Sequence, residues 1–224
     1  MIKVIKYMVT FLFRTNAYRT DSLGDANGSW NIILDGLTSD SVILSAGVGH
    51  NISFELELID KTGANIHVFD PSPTGIKTVK ALSHTNISEN IIFVPKAISG
   101  VSGYILLDPP DIAEEGSWKA ASKHNTEGAI RIESVSLSDY CRNHEIEHID
   151  LLKIDIEGAE YDVIDNLLSE KLSIKQICLE FHCKAQIGIQ QTYFDLFWYV
   201  FKLFKNGYRI VHLTKSDFTW VKHK

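Results

Sequence analysis

The sequence carries no CxxC pair, and its three cysteines, Cys141, Cys178 and Cys183, are odd in number and scattered. That argues against a disulfide framework and against a structural zinc site built on paired thiols; a reducing compartment fits, and the expected location is cytoplasmic. Positive charge is also scarce. Lys plus Arg number 22 against 28 Asp plus Glu, a formal charge of −6. A general nucleic-acid binder needs a basic surface to displace counterions from phosphates, so no nucleic-acid partner is expected. No apolar run reaches the roughly 20 residues that span a bilayer. The opening MIKVIKYMVTFLFR is too short for that and no small-residue cleavage site follows it, so it reads as neither a membrane span nor a signal peptide. Internal repeats and low-complexity tracts are missing as well.

What is present suits one globular core: 224 residues, of which 45% are hydrophobic and only 22% charged. Ile2, Ile5, Val9 and Leu12 fall near one helical face, with Lys3 and Lys6 off it. Residues 1–30 are therefore read as an N-terminal helix and a polar, glycine-containing arm, and 31–224 as a single domain. For residues 1–14, a membrane-surface or partner contact is the alternative to packing on the domain.

From residue 41 the chain alternates strands and helices. SVILSA at 41–46 is a short apolar run, Gly47-Val48-Gly49 a turn, and Ile52, Leu56 and Ile59 are spaced for a helix. Strands follow at 66–69 and 91–94, with a helix between them that holds Ile76, Val79 and Leu82. The rhythm breaks over 99–130, where an extra strand at 104–107 leads into a loop-like stretch. It resumes with a strand at 130–135, a helix at 137–143, a strand at 149–154, a helix at 159–168 and a strand at 174–181. An aromatic helix at 191–204 follows, whose row Phe194, Phe197, Phe201 and Phe204 reads as core. Strands at 208–213 and 218–221 are separated by four residues, too few for a helical crossover, so they should form an antiparallel hairpin. The expected fold is α/β and Rossmann-like: a mainly parallel, doubly wound sheet closed by a C-terminal antiparallel hairpin.

The glycine turn opens a helix and lets a ligand approach the backbone closely, meeting the free amides of a helix N-terminus. The dinucleotide fingerprint wants a third glycine at position 52, where this chain has Ile52, which disfavours a nicotinamide oxidoreductase. Asp70 stands 70 − 49 = 21 residues beyond the second glycine, at the end of the next strand. A carboxylate there suits the hydroxyls of a nucleoside ribose. A tight turn with a turn-forming Asp before Pro71 is the plainer reading.

A second motif, LLKIDIEGAE at 151–160, sets a buried-looking strand, two carboxylates and a glycine turn in a row. With SAGVGHNISFELEL, HVFDPSP and ICLEFH in this order, the chain resembles the FkbM-type family of S-adenosylmethionine-dependent methyltransferases, from about Gly28 to the terminal hairpin. The resemblance implies a class I methyltransferase fold, S-adenosylmethionine as methyl donor, and O-methylation of a hydroxyl on a sugar, polyketide or other small metabolite. It implies a cofactor-binding set of Ala46, Gly47, Val48, Gly49, Asn51, Asp70, Pro71, Ala97, Ile98 and Asp155. Asp155 and Glu157 match the acidic pair that faces the transferred methyl. Ser45 and Ala46 stand where many class I methyltransferases carry an earlier acid in that strand, which leaves Asp155 as the substitute partner for the cofactor's ammonium.

The residues fit such chemistry in their own right, because methyl transfer needs alignment above all and a hydroxyl acceptor must lose a proton to a nearby base. Asp155 and Glu157 end one strand and His182 the next, where open α/β sheets hold ligands. The expected catalytic residues are Asp155, Glu157 and His182, with His182 or Glu157 as base. Each has a structural alternative: Glu157 at a helix N-terminus, His182 paired with Glu180, and Lys153 bridged to Asp155 or another acid. A divalent ion on Asp155, Glu180 and His182 is a further alternative that the sequence does not favour. A non-catalytic protein that binds S-adenosylmethionine is the competing function. Acceptor contacts are expected in the arm at 18–30 and the loop at 108–125, with Trp118, Lys119 and His124 as candidates. The acceptor itself and the oligomeric state are not legible in the sequence.

Overall fold

A computed structural model describes residues 12–82, 89–110, 116–120, 128–183, 191–214 and 216–223. Most of residues 1–14, and His124 with much of its loop, therefore lie outside the described residues.

Strands β1 (Asp21–Leu23) and β2 (Trp30–Ile32) pair antiparallel as a small hairpin within the segment read as an arm. Next come β3 (Ile43–Ala46), α1 (Ser53–Thr62), β4 (Ile66–Phe69), α2 (Pro73–Lys80) and β5 (Ile91–Val94). The middle holds β6 (Ala97–Ser99), β7 (Gly103–Asp108), β8 (Lys119–Ala120), β9 (Ile130–Ser136) and α3 (Leu137–Asn143). Last are β10 (Ile149–Ile154), α4 (Glu160–Ser169), β11 (Ile174–Glu180), α5 (Tyr193–Lys205), β12 (Tyr208–Leu213) and β13 (Asp217–Lys222).

The main sheet has seven strands in the order β12-β13-β11-β10-β3-β4-β5. The five strands from β11 to β5 run parallel, and β13 is antiparallel to both β11 and β12. This is the Rossmann-like, doubly wound arrangement with a closing hairpin. Strands β3 and β10 are buried almost throughout because both sheet faces are covered. Alternate residues serve opposite faces: Leu152 and Ile154 join the core under α3, α4 and α5, whereas Leu151 joins the core under α1. The first connections run outward from β3 to β5 and the later ones return to β10, so the order reverses between β3 and β10. Open α/β sheets bind ligands in the crevice at such a reversal.

Three expectations change. The strand at 130–136 does not join the main sheet: β6-β9-β7-β8 form a separate four-stranded sheet. Alternating exposure along β9, with Arg131 and Glu133 outward, suits an outlying sheet with one wet face. Hairpin β1–β2, expected as loop, brings Leu23 and Trp30 into the core beside α1. The aromatic row on α5 is only partly core. Phe197 and Phe204 close on Phe13, with ring centroids 6.5 and 4.6 Å apart, but Phe194 in the first turn is 76% exposed. Leu12 is exposed as well, and Phe13 takes the buried place. No helix among the described residues is long and apolar enough to cross a membrane.

Candidate active site

At the C-terminal ends of β3, β4 and β10 lies a cavity of about 480 Å³. Gly47, Val48, Gly49 and Asn51 line it from the first turn, Asp70 and Pro71 from the second. Ala97 and Ile98 contribute a third wall, Asp155 and Glu157 a fourth. Two expected residues stand outside the lining. Ala46 is buried in the core below, and His182 lies behind the carboxylates, 3% exposed.

The glycine turn is shaped from both sides. Gly47 has φ +85°, and a Cβ there would fall 1.7 Å from the carbonyl oxygen of Asp155, so β10 approaches the turn as closely as backbone allows. The amides expected to be free are largely taken. Asp70 accepts from the N–H groups of Val48 and Gly49 at 2.9 and 2.8 Å through Oδ2, and from the N–H and hydroxyl of Ser72 at 2.9 and 2.6 Å through Oδ1. Asn51 Oδ1 accepts from Ser53 N–H at 2.9 Å. A buried amide needs an acceptor, and a carboxylate has about four acceptor positions, so Asp70 is saturated by the turn it holds. Gly75 makes room for it: a Cβ there would meet the Asp70 carboxylate within 2.5 Å. Nothing in the sequence singled out Gly75; its signal is a glycine in the first turn of a helix.

Beneath the turn, Lys153 is bridged to Glu55 rather than Asp155. Its Nζ donates to the Gly47 carbonyl at 2.5 Å and lies 3.4 Å from Glu55 Oε1, which also accepts from the Ser45 hydroxyl at 2.5 Å. Both charges are buried, so each needs the other.

Behind the cavity wall, a histidine sits among carboxylates. His182 Nδ1 meets Glu160 Oε1 at 2.7 Å, and its Nε2 faces Glu157 Oε2 at 3.5 Å, Asp155 Oδ1 at 3.9 Å and Glu180 Oε1 at 3.9 Å. Glu160, fully buried, also accepts from the N–H groups of Ile156 and Gly158, at 3.2 and 3.0 Å. Tyr161 donates to the carbonyl of His182 at 2.8 Å. Start of α4 and end of β11 are thus clamped together. Burial pulls the pKa of His182 down, but the hydrogen bond and charge of Glu160, then the charges of Glu157 and Asp155, outweigh it and carry the imidazole up to about 10. Asp155 has a third of its side chain open to the cavity. Burial raises it most, Lys153 opposes, and Glu180 adds to the rise, leaving the carboxyl at about 7. Burial raises Glu180 too. Glu160 and Glu55 had no assigned role in the sequence, because their partners lie on other strands.

Trp118, Ser117 and Asn27 also line the cavity, from the loop and the arm where acceptor contacts were expected, whereas Lys119, paired with Asp108 in the β7–β8 ladder, does not. The reversal of strand order, the glycine turn, and the carboxylates of Asp155 and Glu157 thus meet in one concave site.

Comparison with known proteins gives a family model, described as the methyltransferase FkbM domain, that matches residues 35–210. The hexuronic acid methyltransferase AglP of Haloferax volcanii is 26% identical over 151 residues, an alignment that covers 67% of this chain and 60% of that protein. The chain thus spans about three-fifths of the relative's length. Among solved structures, methyltransferase FkbM from Methylobacillus flagellatus aligns over 83% of this chain and 44% of its own, with 14% identity and a TM-score of 0.47. The fibrillarin pre-rRNA processing protein of Methanococcus jannaschii aligns over 94% and 86%, with 14% identity and a TM-score of 0.46.

Proposed function

This chain belongs to the FkbM methyltransferase family, whose model spans most of its length, and from that premise we propose that it transfers the methyl group of S-adenosylmethionine to a hydroxyl of a sugar or similar small metabolite. One observation carries the reading: the glycine turn after β3, Asp70 after β4, and Asp155 with Glu157 after β10 all line one cavity at the sheet's reversal point. Its volume of about 480 Å³ sits in the range of roughly 300–1,000 Å³ usual for small-molecule sites.

The residues present fit that cofactor. The side-chain-free backbone at Gly47 and Gly49 admits close approach, Asp155 offers an anion to an ammonium or sulfonium, and Ala97 and Ile98 offer an apolar wall. When bound, the cofactor supplies an electrophilic methyl carbon on a cationic sulfur. Asp70 is assigned to the ribose, and of its four donors the Ser72 hydroxyl is the one carried by a side chain; yielding its place to a ribose hydroxyl also releases the α2 cap that Ser72 makes with Gly75 N–H. Asp155 orients cofactor or acceptor. Glu157 takes the acceptor's proton on a carboxylate oxygen as the acceptor oxygen gains the methyl group. His182, cationic and set behind the lining, steadies the two carboxylates, a role distinct from the base expected of it.

A relative named for hexuronic acid suggests a sugar acceptor. Such a sugar offers both hydroxyls and a carboxylate. The carboxylates of Asp155 and Glu157 on the cavity wall favour the neutral hydroxyl, since a further anion beside them meets like charge. Calorimetry of the whole chain with S-adenosylmethionine and S-adenosylhomocysteine tests the cofactor; absence of heat with both in a folded sample ends the reading. A mass-spectrometric screen of uronic acids, neutral glycosides and polyketides should then find a product heavier by one CH₂. Resistance of that product to mild alkali marks an ether, and its loss marks an ester and a carboxylate acceptor. Tight cofactor binding with no product from any acceptor favours a non-catalytic protein.

A further inference from the structure

We propose that Asp155, Glu180 and His182 bind one divalent first-row transition ion at the inner wall of the cavity, with manganese the best match. Its chemical use rests on the methyltransferase reading above, whereas its existence is measured independently of it.

The geometry comes first. One ligand atom from each of the three residues lies within 4.8 Å of the others. His182 Nε2 stands 3.9 Å from Asp155 Oδ1 and 3.9 Å from Glu180 Oε1. These distances are too long for hydrogen bonds, which close at roughly 2.7–3.2 Å. An ion at ~2.0–2.2 Å from each ligand atom holds two such atoms roughly 3–3.6 Å apart. Closure on an ion therefore needs the two histidine–carboxylate separations to shorten by roughly 0.3–0.9 Å, and the Asp155–Glu180 separation, which lies within 4.8 Å, to come into the same range.

The histidine supplies the second observation. Its ring is 97% buried, the complement of an exposure of 3%. Glu160 occupies Nδ1 at 2.7 Å, leaving Nε2 turned toward the carboxylates without a hydrogen bond. A carboxylate on one ring nitrogen with the other left for the ion is the usual setting of a metal-binding histidine, because it fixes both ring orientation and tautomer. Here the orienting carboxylate is fully buried, and Tyr161 anchors the same residue through its carbonyl.

Charge points the same way. Four carboxylates, Asp155, Glu157, Glu160 and Glu180, surround a single imidazole. Lys153, the cation on the neighbouring strand position, is committed to Glu55 and the Gly47 carbonyl. Glu160 is fully buried and the other three are partly buried, and anions drawn away from water are costly unless paired or bound to a cation. An imidazole nitrogen with two carboxylate oxygens suits Mn²⁺ better than Mg²⁺, which prefers oxygen ligands and retains its waters. On binding, the ion replaces the proton on Nε2, which passes to solvent. Asp155 lines the cavity, so an open coordination position there can take the acceptor's hydroxyl and lower its pKa, sharing the task given to Glu157.

The test uses the whole chain, stripped with EDTA, dialysed and titrated with MnCl₂ by calorimetry and by the loss of free-ion electron paramagnetic resonance. Manganese is the probe because its free-ion paramagnetic signal is read directly. The expected result is one Mn²⁺ per chain, with affinity lowered at least ~10-fold by Asp155→Asn, Glu180→Gln and His182→Gln, and ~10–100-fold by Glu160→Gln acting through His182. Circular dichroism checks that each variant is folded. If His182→Gln unfolds, the two carboxylate variants, both partly exposed, decide the matter. No uptake by folded wild type, or uptake unchanged in Asp155→Asn and Glu180→Gln, overturns the site. Calorimetry with S-adenosylhomocysteine on the same samples separates the two ideas: cofactor heat without Mn²⁺ uptake removes only the ion, and Mn²⁺ uptake without cofactor heat removes only the methyltransferase reading.

Discussion

Glu157 sits at φ +54°, a left-handed conformation that costs an ordinary L-residue about 1–2 kcal/mol. The turn keeps a long acidic side chain where glycine would be easier, and the side chain meets His182 at the cavity wall. Glu157→Gln should lower methyl transfer by about 10²–10⁴-fold with the melting temperature held. Glu157→Gly should be equally inactive yet change unfolding free energy in urea by less than about 1 kcal/mol, because relief of strain offsets the entropy of glycine. Undiminished turnover in either variant would remove Glu157 as base. Gly47 is the opposite case: its φ of +85° and a Cβ position 1.7 Å from the Asp155 carbonyl forbid any side chain. Gly47→Ala should cost roughly 2–4 kcal/mol and abolish cofactor heat in calorimetry, since the added carbon pushes β10 and Asp155 away from the turn.

Between elements, α1 and β10 share a buried ion pair, Glu55 with Lys153, beside their apolar packing. Lys153→Met leaves the buried Glu55 carboxyl without its cation, an expected loss of about 3–5 kcal/mol; Glu55→Leu combined with Lys153→Met should recover most of it. Urea denaturation of the four proteins in that cycle measures the coupling, and independent, additive losses would contradict it. Strand β4 and helix α3 meet through His67, whose Nδ1 lies 2.7 Å from the Tyr140 hydroxyl. Burial, then the charge of His144, lowers the His67 pKa below its usual 6.5. A depressed folded value means the unfolded chain takes up the proton first. This stabilisation is therefore complete above 6.5 and is lost as pH falls toward the folded value. His67→Gln should flatten the acid side of the stability profile; an unchanged slope would assign that loss to other groups. These contacts explain why strands were easier to read than their partners. Runs such as 66–69 or 149–154 declare themselves by local apolarity, whereas Glu55 and Lys153 meet only after the sheet is assembled, as do Glu160 and His182.

For the whole molecule, the cavity is the place where ligand binding and stability are linked. S-adenosylhomocysteine at about 100 times its dissociation constant should add roughly 2.7 kcal/mol, a rise in melting temperature of about 5–11 °C for a chain of this size. NAD should give none; a shift with NAD alone would return the oxidoreductase reading that Ile52 disfavours. The order of strands and helices through most of the chain, the glycine turn, the carboxylates that follow β10 and the closing hairpin are all written in the sequence. All of these are encoded within a few consecutive residues, by apolar period, glycine and loop length. Assembly of the fold settles the rest: β9 leaves the main sheet, Asp70 spends its oxygens on the turn, Lys153 answers Glu55, and His182 is enclosed by four carboxylates. Each of those depends on which distant strand lies alongside, and the free energy of a buried charge is set by neighbours in space, whose distances along the chain carry no local signal.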